Sequence, residues 1–177
     1  MAERSSLNQV VQIGMESTPG TGVTATRRLQ AIGFEPSPSV EMDQFRPMGQ
    51  KYRAITTLGK EWVEASMTGR GSFTELVYVL SSVVDAPTIA TPGGATLARS
   101  WTFTPDSFGD DAPQTFTVEH GSGARADRYT YGLITEFGMT FNRTNIEVSG
   151  SMMGRALEDP FVLTPGATSV DLVPIIP

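Results

Sequence analysis

The chain offers few side chains for catalysis. Its 177 residues include one histidine, His120, and no cysteine. A Ser-His-Asp triad would have to use His120 beside Glu119 on a turn, and a surface turn histidine is the simpler interpretation. Zinc ligation by histidine or cysteine needs several such residues, so that kind of site is excluded. We predict no catalytic residue, no metal site and no cofactor, and therefore no enzyme.

Three other patterns come close to known sites without completing them. The glycine-rich segment 14–22 lacks the Gly-Lys-[Ser/Thr] ending with which phosphate loops hold phosphate and magnesium. Asp106, Asp110 and Asp111 do not have the spacing of a calcium loop, which leaves a solvated loop. Carboxylate pairs for glycoside chemistry depend on a separation in space that the sequence does not give.

A strand that runs into a helix is the best-defined pair of elements. Val63, Ala65 and Met67 alternate with polar residues, which predicts a half-buried strand. The segment Ser72–Glu75 has the form of a capping box, so a helix is expected over about residues 72–85. The predicted apolar stripe of this helix consists of Phe73, Leu76, Val77, Leu80, Val83 and Val84.

A β-hairpin is predicted near the C-terminal end of the domain. Ile134–Phe141 and Ile146–Met152 alternate apolar and polar residues on either side of a four-residue turn. Placing Phe141 opposite Ile146 keeps the apolar residues of both strands on one face, which fixes the register. The other face carries a polar lane formed by Glu136, Thr140, Glu147, Ser149 and Ser151.

The segment Glu35–Gly59 is long, rich in proline and locally basic, and its apolar residues follow no clear period. A loop of this length inside a domain is usually functional or disordered. Its large apolar residues argue against plain disorder. We therefore expect a loop of about residues 35–60 that either folds over its own domain or docks on another subunit.

Length and composition predict one domain that is mainly β. The 18 glycines and 12 prolines favour many turns. The expected fold is an antiparallel β-sandwich or barrel flanked by one helix, with long loops. Residues 1–28 are predicted to be an N-terminal arm and residues 29–177 the domain. The apolar ending 172–176 either docks as an edge strand or leads into a further C-terminal region, and we favour the second.

The charge is distributed unevenly along the chain. The net charge is −6, with +2 in residues 1–60 and −8 in residues 61–177. Gripping nucleic acid requires neutralisation of its phosphates, so an acidic body is unsuited to it. Such a body could still surround nucleic acid without binding it. No apolar run is long enough to span a membrane and no secretory signal is visible.

Several segments follow one another in a recognisable order. They are Gly14–Thr21, Arg46–Gly49, Lys60–Glu64, Gly71–Leu80, Asp111–Val118 and the hairpin around Phe137–Gly150. In this order they resemble the tail tube (major tail) proteins of long, non-contractile-tailed bacteriophages. The resemblance covers most of the chain, and it rests on the order of the segments rather than on one motif.

The resemblance implies a structural protein of the virion tail. Such subunits form six-fold rings that stack into a hollow tube, which is assembled in the bacterial cytoplasm and conducts DNA during ejection without sequence-specific binding. The implied partners are further copies of the chain, the tape measure protein and other tail proteins, with no membrane. Inter-subunit or inter-ring contacts are then expected from Phe45, Arg46, Lys51, Tyr52 and Arg53. The polar lane is the candidate lumen face.

Two other functions remain open from the residues. One is a related secreted tube protein of similar fold. The other is a monomeric β-sandwich that binds carbohydrate or protein. Assembly distinguishes them, because a tube subunit needs edges and loops that join copies, whereas a binding module is stable as a monomer with a ligand face.

Overall fold

Strands make up most of the fold. The computed structural model describes residues 9–94, 98–105, 107–109, 112–173 and 175. Strand accounts for 53% of it and helix for 8%, which confirms the predicted mainly β fold with one helix. The strands are β1 (Val10–Met15), β2 (Arg27–Leu29), β3 (Ile32–Phe45), β4 (Ile55–Arg70), β5 (Thr88–Ala90), β6 (Ser100–Thr102), β7 (Phe116–Gly121), β8 (Ala126–Phe141), β9 (Ile146–Arg155), β10 (Glu158–Phe161) and β11 (Thr168–Ser169), and the helix is α1 (Phe73–Val83).

Nine strands form one sheet that is divided by β8. The strand order is β11-β2-β1-β7-β8-β9-β4-β3, and β10 also pairs with β8. The first part of β8 pairs with β7, and the part from Leu133 onwards pairs with β9. Side chains from both halves of the sheet contribute to one apolar core, which includes Ile13, Phe34, Val63, Phe116 and Met152.

The two patterns with period-two alternation are confirmed. Val63, Ala65 and Met67 of β4 are at most 1% exposed. In the hairpin of β8 and β9, Phe141 lies opposite Ile146, which is the predicted register. The apolar face is incomplete at this end, because Phe141 is 69% exposed where the hairpin extends past the core.

The N-terminal segment is part of the sheet, so its description as an arm is corrected for residues 10–28. β1 lies between β2 and β7 and pairs with both. Val11 and Ile13 on β1 are buried in the core. Apolar residues at positions 11 and 13 have the spacing of one strand face, and the core accepts that face. Residues 1–8 lie outside the described part of the chain.

The segment 35–59 is not a loop but most of a long β-hairpin, which corrects that prediction. β3 and β4 pair from Ile32 opposite Gly69 to Phe45 opposite Ile55. Only residues 46–54 form the connecting turn. Pro36 and Pro38 are compatible with a strand here because β3 is at the edge of the sheet, where an amide hydrogen can be absent.

Helix α1 lies within the predicted range of about residues 72–85 and spans Phe73–Val83, but its N-terminus is not a capping box. Ser72 is the N-cap residue and makes no side-chain hydrogen bond to the helix backbone. Its hydroxyl lies 3.0 Å from Thr74 Oγ1 and accepts from the amide of Val173. Glu75 points inwards and binds the corner between β2 and β3. That corner offers backbone amides without strand partners, and they take the carboxylate away from the helix end.

The buried face of α1 also differs from the predicted stripe. Leu76 and Val79 are buried, whereas Phe73 and Val83 are 56% and 43% exposed. The helix turns Ser82 towards the sheet, where its hydroxyl accepts from the amide of Ile134 at 3.0 Å. Small polar side chains allow this close approach, so part of the apolar stripe faces outwards.

The apolar C-terminal segment docks beside the start of α1. The amide of Phe73 donates to the carbonyl of Val173 at 2.9 Å, and the amide of Ile175 donates to the carbonyl of Gly71 at 3.1 Å. These backbone bonds dock Val173 and Ile175 against the start of α1, although neither residue is part of a strand. Pro174, Ile176 and Pro177 lie outside the described residues.

Tyr129 should make stability fall at alkaline pH. It is fully buried and its hydroxyl contacts the sulfur of Met152, and this burial raises the pKa of Tyr129. Above the ordinary tyrosine pKa of about 10, the unfolded chain loses the proton while the folded chain keeps it. The unfolding free energy should then fall by about 1.4 kcal/mol per pH unit relative to Tyr129→Phe. Denaturant titrations at pH 8 to 11 measure this difference, and parallel pH profiles would contradict it.

Candidate functional site

The β3–β4 extension, residues 40–61, projects beyond the rest of the sheet. β9 pairs with β4 only as far as Trp62, so the two strands of the extension pair with each other alone. Every residue in it is exposed except Pro47, which is half-buried. An isolated two-stranded hairpin is marginally stable in water. Its large exposed side chains are Val40, Met42, Phe45, Met48, Tyr52, Ile55 and Leu58.

The end of the extension carries positive charge. Arg46, Lys51 and Arg53 all lie in or beside the turn, and residues 46–54 contain no acidic side chain. The Lys51 ammonium lies 5.8 Å from the centre of the Tyr52 ring, and the Arg53 guanidinium donates to the Gln44 side chain at 3.1 Å. The five residues predicted from the sequence as inter-subunit contacts, Phe45, Arg46, Lys51, Tyr52 and Arg53, are therefore brought together at one exposed end.

The polar lane lies on the face of β8 and β9 that points away from the core. Glu136 pairs with Ser151, and Thr140 pairs with Glu147. Ser149 lies between these rows, opposite Gly138. The structure thus brings the five predicted residues onto one face, with Ser151 half-buried and the other four exposed.

The same outer face continues across β4 and β3. Ser66 and Thr68 of β4 lie opposite Ser151 and Ser149, and Glu35 of β3 lies opposite Ser66. These β4 and β3 residues are also exposed, and the sequence interpretation did not include them. For the β4 residues the sequence does contain a signal, because polar residues alternate with Val63, Ala65 and Met67. The charged residues of this outer face are Glu35, Glu64, Arg70, Glu136, Glu147 and Arg155.

The half-sheet β8-β9-β4-β3 has an open edge on each side within the described residues. β3 pairs with β4 alone, and β8 from Leu133 onwards pairs with β9 alone. The Ile32 amide donates to Glu75 rather than to β4, so the even-numbered residues of β3 as far as Pro38 face its open edge. Pro36 and Pro38 therefore remove two amide donors from that edge.

The contacts of the buried Glu16 carboxylate explain why the segment 14–22 is rich in glycine. The Glu16 carboxylate is buried and accepts from the Gly20 amide at 2.7 Å, from the hydroxyls of Thr115 and Thr117, and from the Tyr131 amide at 3.0 Å. Tyr131 has a φ of 58°, which is uncommon for a residue with a side chain. The segment folds around this protein carboxylate and holds a bulge in β8, which is a structural use of its glycines.

His120 and Glu119 are on β7 rather than on a turn. The Glu119 carboxylate is buried and accepts from the amide and the hydroxyl of Thr164 at 2.8 and 2.7 Å. This carboxylate therefore binds the segment that follows β10. No group of three histidine, cysteine or acidic side chains with metal-site geometry occurs in the described ranges. The calcium-loop candidates Asp106, Asp110 and Asp111 lie outside those ranges.

Neither a protein-family model nor a curated protein sequence matches this chain. Among the helical residues that the structure describes, no helix is both long enough and apolar enough to cross a membrane. The functional argument therefore rests on the extension, on the outer face and on the open edges of the half-sheet.

Proposed function

We propose that this chain is a structural subunit of a bacteriophage tail tube. In this proposal, copies of the chain join into rings, and the rings stack into a hollow conduit for DNA in the virion tail. The tape measure protein and other tail proteins are the further partners that the family resemblance implies. No catalytic step or cofactor is part of the proposal.

The half-sheet β8-β9-β4-β3 is the observation that carries this proposal. One of its faces is the core and the other is polar, and both of its edges lack a strand partner in the described part of the chain. A unit with two different open edges can join copies head to tail, and such contacts close into rings when the rotation allows. The polar outer face then lines one side of the ring wall.

Pro36 and Pro38 fit an edge that must pair selectively. They leave carbonyl acceptors on the open edge of β3 but remove donors at two positions. An incoming strand of arbitrary register loses hydrogen bonds there, whereas a strand with a matching pattern does not. This is one of the ways in which proteins limit uncontrolled edge pairing.

The charge of the outer face suits DNA passage. Four carboxylates against two guanidinium groups, together with serine and threonine hydroxyls, make it acidic and hydrophilic. Like charges repel, and the repulsion is strongest at short range and low salt. DNA inside such a wall is kept away from it and can slide without forming lasting phosphate contacts.

Electron microscopy of the purified protein tests the proposal. We expect negatively stained samples at high protein concentration to contain rings or hollow tubes, with sedimentation showing species much larger than one chain. A monomer at every concentration would contradict a tube subunit and would favour the binding-module alternative.

Glu147→Lys should slow DNA passage without blocking tube assembly. Glu147 is exposed on the polar lane, opposite Thr140 and Arg70 and away from the core. A lysine repeated in every subunit would attract phosphate, and we expect at least a ~3-fold slower release at low salt. The measurement is the rate of DNA ejection from particles assembled with the variant. Glu147→Gln separates lost negative charge from gained positive charge. Normal tubes with unchanged ejection would remove the lumen assignment.

A further inference from the structure

The Arg155 guanidinium is held in a defined position at the end of β9. Its Nη1 donates to the carbonyl of Gly20 at 3.1 Å, and its Cζ lies 6.0 Å from the centre of the Tyr131 ring. Trp62 of β4 lies directly opposite Arg155 on the outer face, where the extension begins. Arg155 is exposed, whereas Trp62 and Tyr131 are half-buried. The site therefore presents one positioned cation between two aromatic side chains.

Both supports of Arg155 are bound by the buried Glu16 carboxylate. It accepts from the amides of Gly20 and Tyr131, at 2.7 and 3.0 Å. Gly20 has a φ of 78°, and a Cβ atom there would lie 2.5 Å from the Arg155 Cζ, so a side chain at this position would displace the guanidinium. Tyr131 has a φ of 58°, and such uncommon backbone angles concentrate at functional sites. The glycine-rich segment and the bulge in β8 thus position one arginine.

The positive charge of Arg155 is not neutralised by a direct ion pair. Within the described residues, its interactions are the bond to the Gly20 carbonyl and the ring contact. Glu64 of the same face accepts from the indole of Trp62 at 3.1 Å. Glu136 pairs with residue 151, which is four residues along β9 and therefore roughly 13 Å away, more than a Debye length at physiological salt. The remaining guanidinium donors are available to an external anion.

The chemistry and position of this guanidinium favour phosphate on an external ligand. Arginine is always charged, and its planar fork of donors matches phosphate oxygens. A side chain that is already positioned loses little conformational entropy on binding. β9 lies between β8 and β4, so copies that join through the open edges of the half-sheet leave Arg155 uncovered. The ligand is therefore one that faces the outer surface rather than a neighbour in the ring.

We propose that Arg155 contacts the phosphate backbone of duplex DNA. The proposal rests on the proposed function, in which the outer face surrounds DNA. The carboxylates repel DNA along most of that face, so the contact is weak, independent of base sequence and present once in each copy. It gives the passing DNA a brief attachment at the level where the extension begins. The sequence assigned no role to Arg155, because its supports come from distant segments.

The fluorescence of Trp62 tests this contact. The chain has two tryptophans, so Trp101→Phe leaves Trp62, the neighbour of Arg155, as the only reporter. Protein with this background is titrated at low salt with a short DNA duplex, and the titration is repeated after Arg155→Gln. Arg70→Gln is the matched control, because it removes the other guanidinium of the same face at the opposite end of β4. Inorganic phosphate and polyglutamate, at equal charge concentration, represent a free anion and an acidic protein.

We expect the duplex to change the Trp62 emission and Arg155→Gln to weaken the apparent affinity at least ~5-fold, as for the loss of one charge-assisted hydrogen bond. The plot of log affinity against log salt should become less steep by about 0.9 for that phosphate contact. Arg155→Lys keeps the charge without the planar fork and should recover part of the affinity. Arg70→Gln should weaken binding less than Arg155→Gln does.

No emission change with DNA, or equal affinity before and after Arg155→Gln, would overturn the contact. An equal response to inorganic phosphate or to polyglutamate would overturn the assignment to DNA, in favour of a free-anion site or an acidic protein partner. Electron microscopy of the same samples separates the two proposals. Tubes without a DNA response would overturn the contact alone, and a monomer at every concentration would overturn the proposed function whatever the DNA response.

Discussion

Replacing residues 40–61 with Asn-Gly should give a folded monomer that forms neither rings nor tubes. The extension contributes nothing to the core cluster, so the body should keep its stability. Removing it deletes seven exposed apolar side chains and the cationic turn. Each central apolar anchor that is lost typically costs 2 kcal/mol or more, which is about 30-fold in affinity. The loss of several anchors should therefore abolish assembly at any practical concentration.

The register of β3 and β4 decides where the new turn belongs. The Arg70 amide donates to the Ala31 carbonyl, so the odd-numbered residues of β3 as far as Ser39 exchange hydrogen bonds with β4. Ser39 and Trp62 are therefore a hydrogen-bonded pair, which is the pair that a two-residue turn closes. Asn-Gly adopts the favoured turn for that length.

Two matched variants make the result specific to the apolar surface. Met42→Thr with Leu58→Thr keeps a complete hairpin, removes one apolar pair and should also prevent assembly. Val162→Thr removes an equally exposed apolar residue outside the extension and outside both open edges and should assemble normally. Electron microscopy and sedimentation give the readout. Normal tubes from the Asn-Gly variant would exclude the extension as an assembly element.

Period-two alternation predicted those strands that bury one face. It located β4 at Val63 and the β8–β9 register at Phe141, because burial of one face imposes the pattern. It missed the extension, where neither face is buried by its own chain and no pattern is required. The prolines of the segment, Pro36 and Pro38 among them, favour a loop in the sequence, since an edge position in a sheet cannot be inferred from a single strand.

Contacts between residues that are far apart in the chain could not be predicted from local sequence patterns. The spacing of Ser72 and Glu75 fits a local capping rule, but the carboxylate is bound by a corner more than 40 residues earlier. The buried face of α1 likewise depends on Ser82 meeting the Ile134 amide, and apolar content alone cannot predict that contact. The polar lane was found because both of its strands belong to one hairpin, whereas Ser66 and Glu35 joined it only through pairing of distant strands.

Glu75→Ala should lower the unfolding free energy by about 4–6 kcal/mol, a large part of the roughly 5–15 kcal/mol of a typical domain. Glu75 is fully buried, and its carboxylate accepts from the amides of Gln30 at 2.7 Å, Ala31 at 3.0 Å and Ile32 at 2.8 Å. Hydrogen bonds to a charged group are worth about 1.5–3 kcal/mol each, and alanine leaves these donors without an acceptor. The corner that places β3 against α1 would lose its anchor.

Glu75→Gln provides a milder form of the same test, because glutamine keeps the shape and one oxygen acceptor. Its NH₂ group would face backbone N–H donors, so we expect a loss of about 2–3 kcal/mol in denaturant unfolding. Amide hydrogen exchange at Ala31 and Ile32 should accelerate in this variant. The exposed Glu136→Ala is the control and should stay within about 0.5 kcal/mol. If Glu75→Gln matched that control in stability and exchange, the corner would not depend on the carboxylate, and the position of β3 relative to α1 would need another cause.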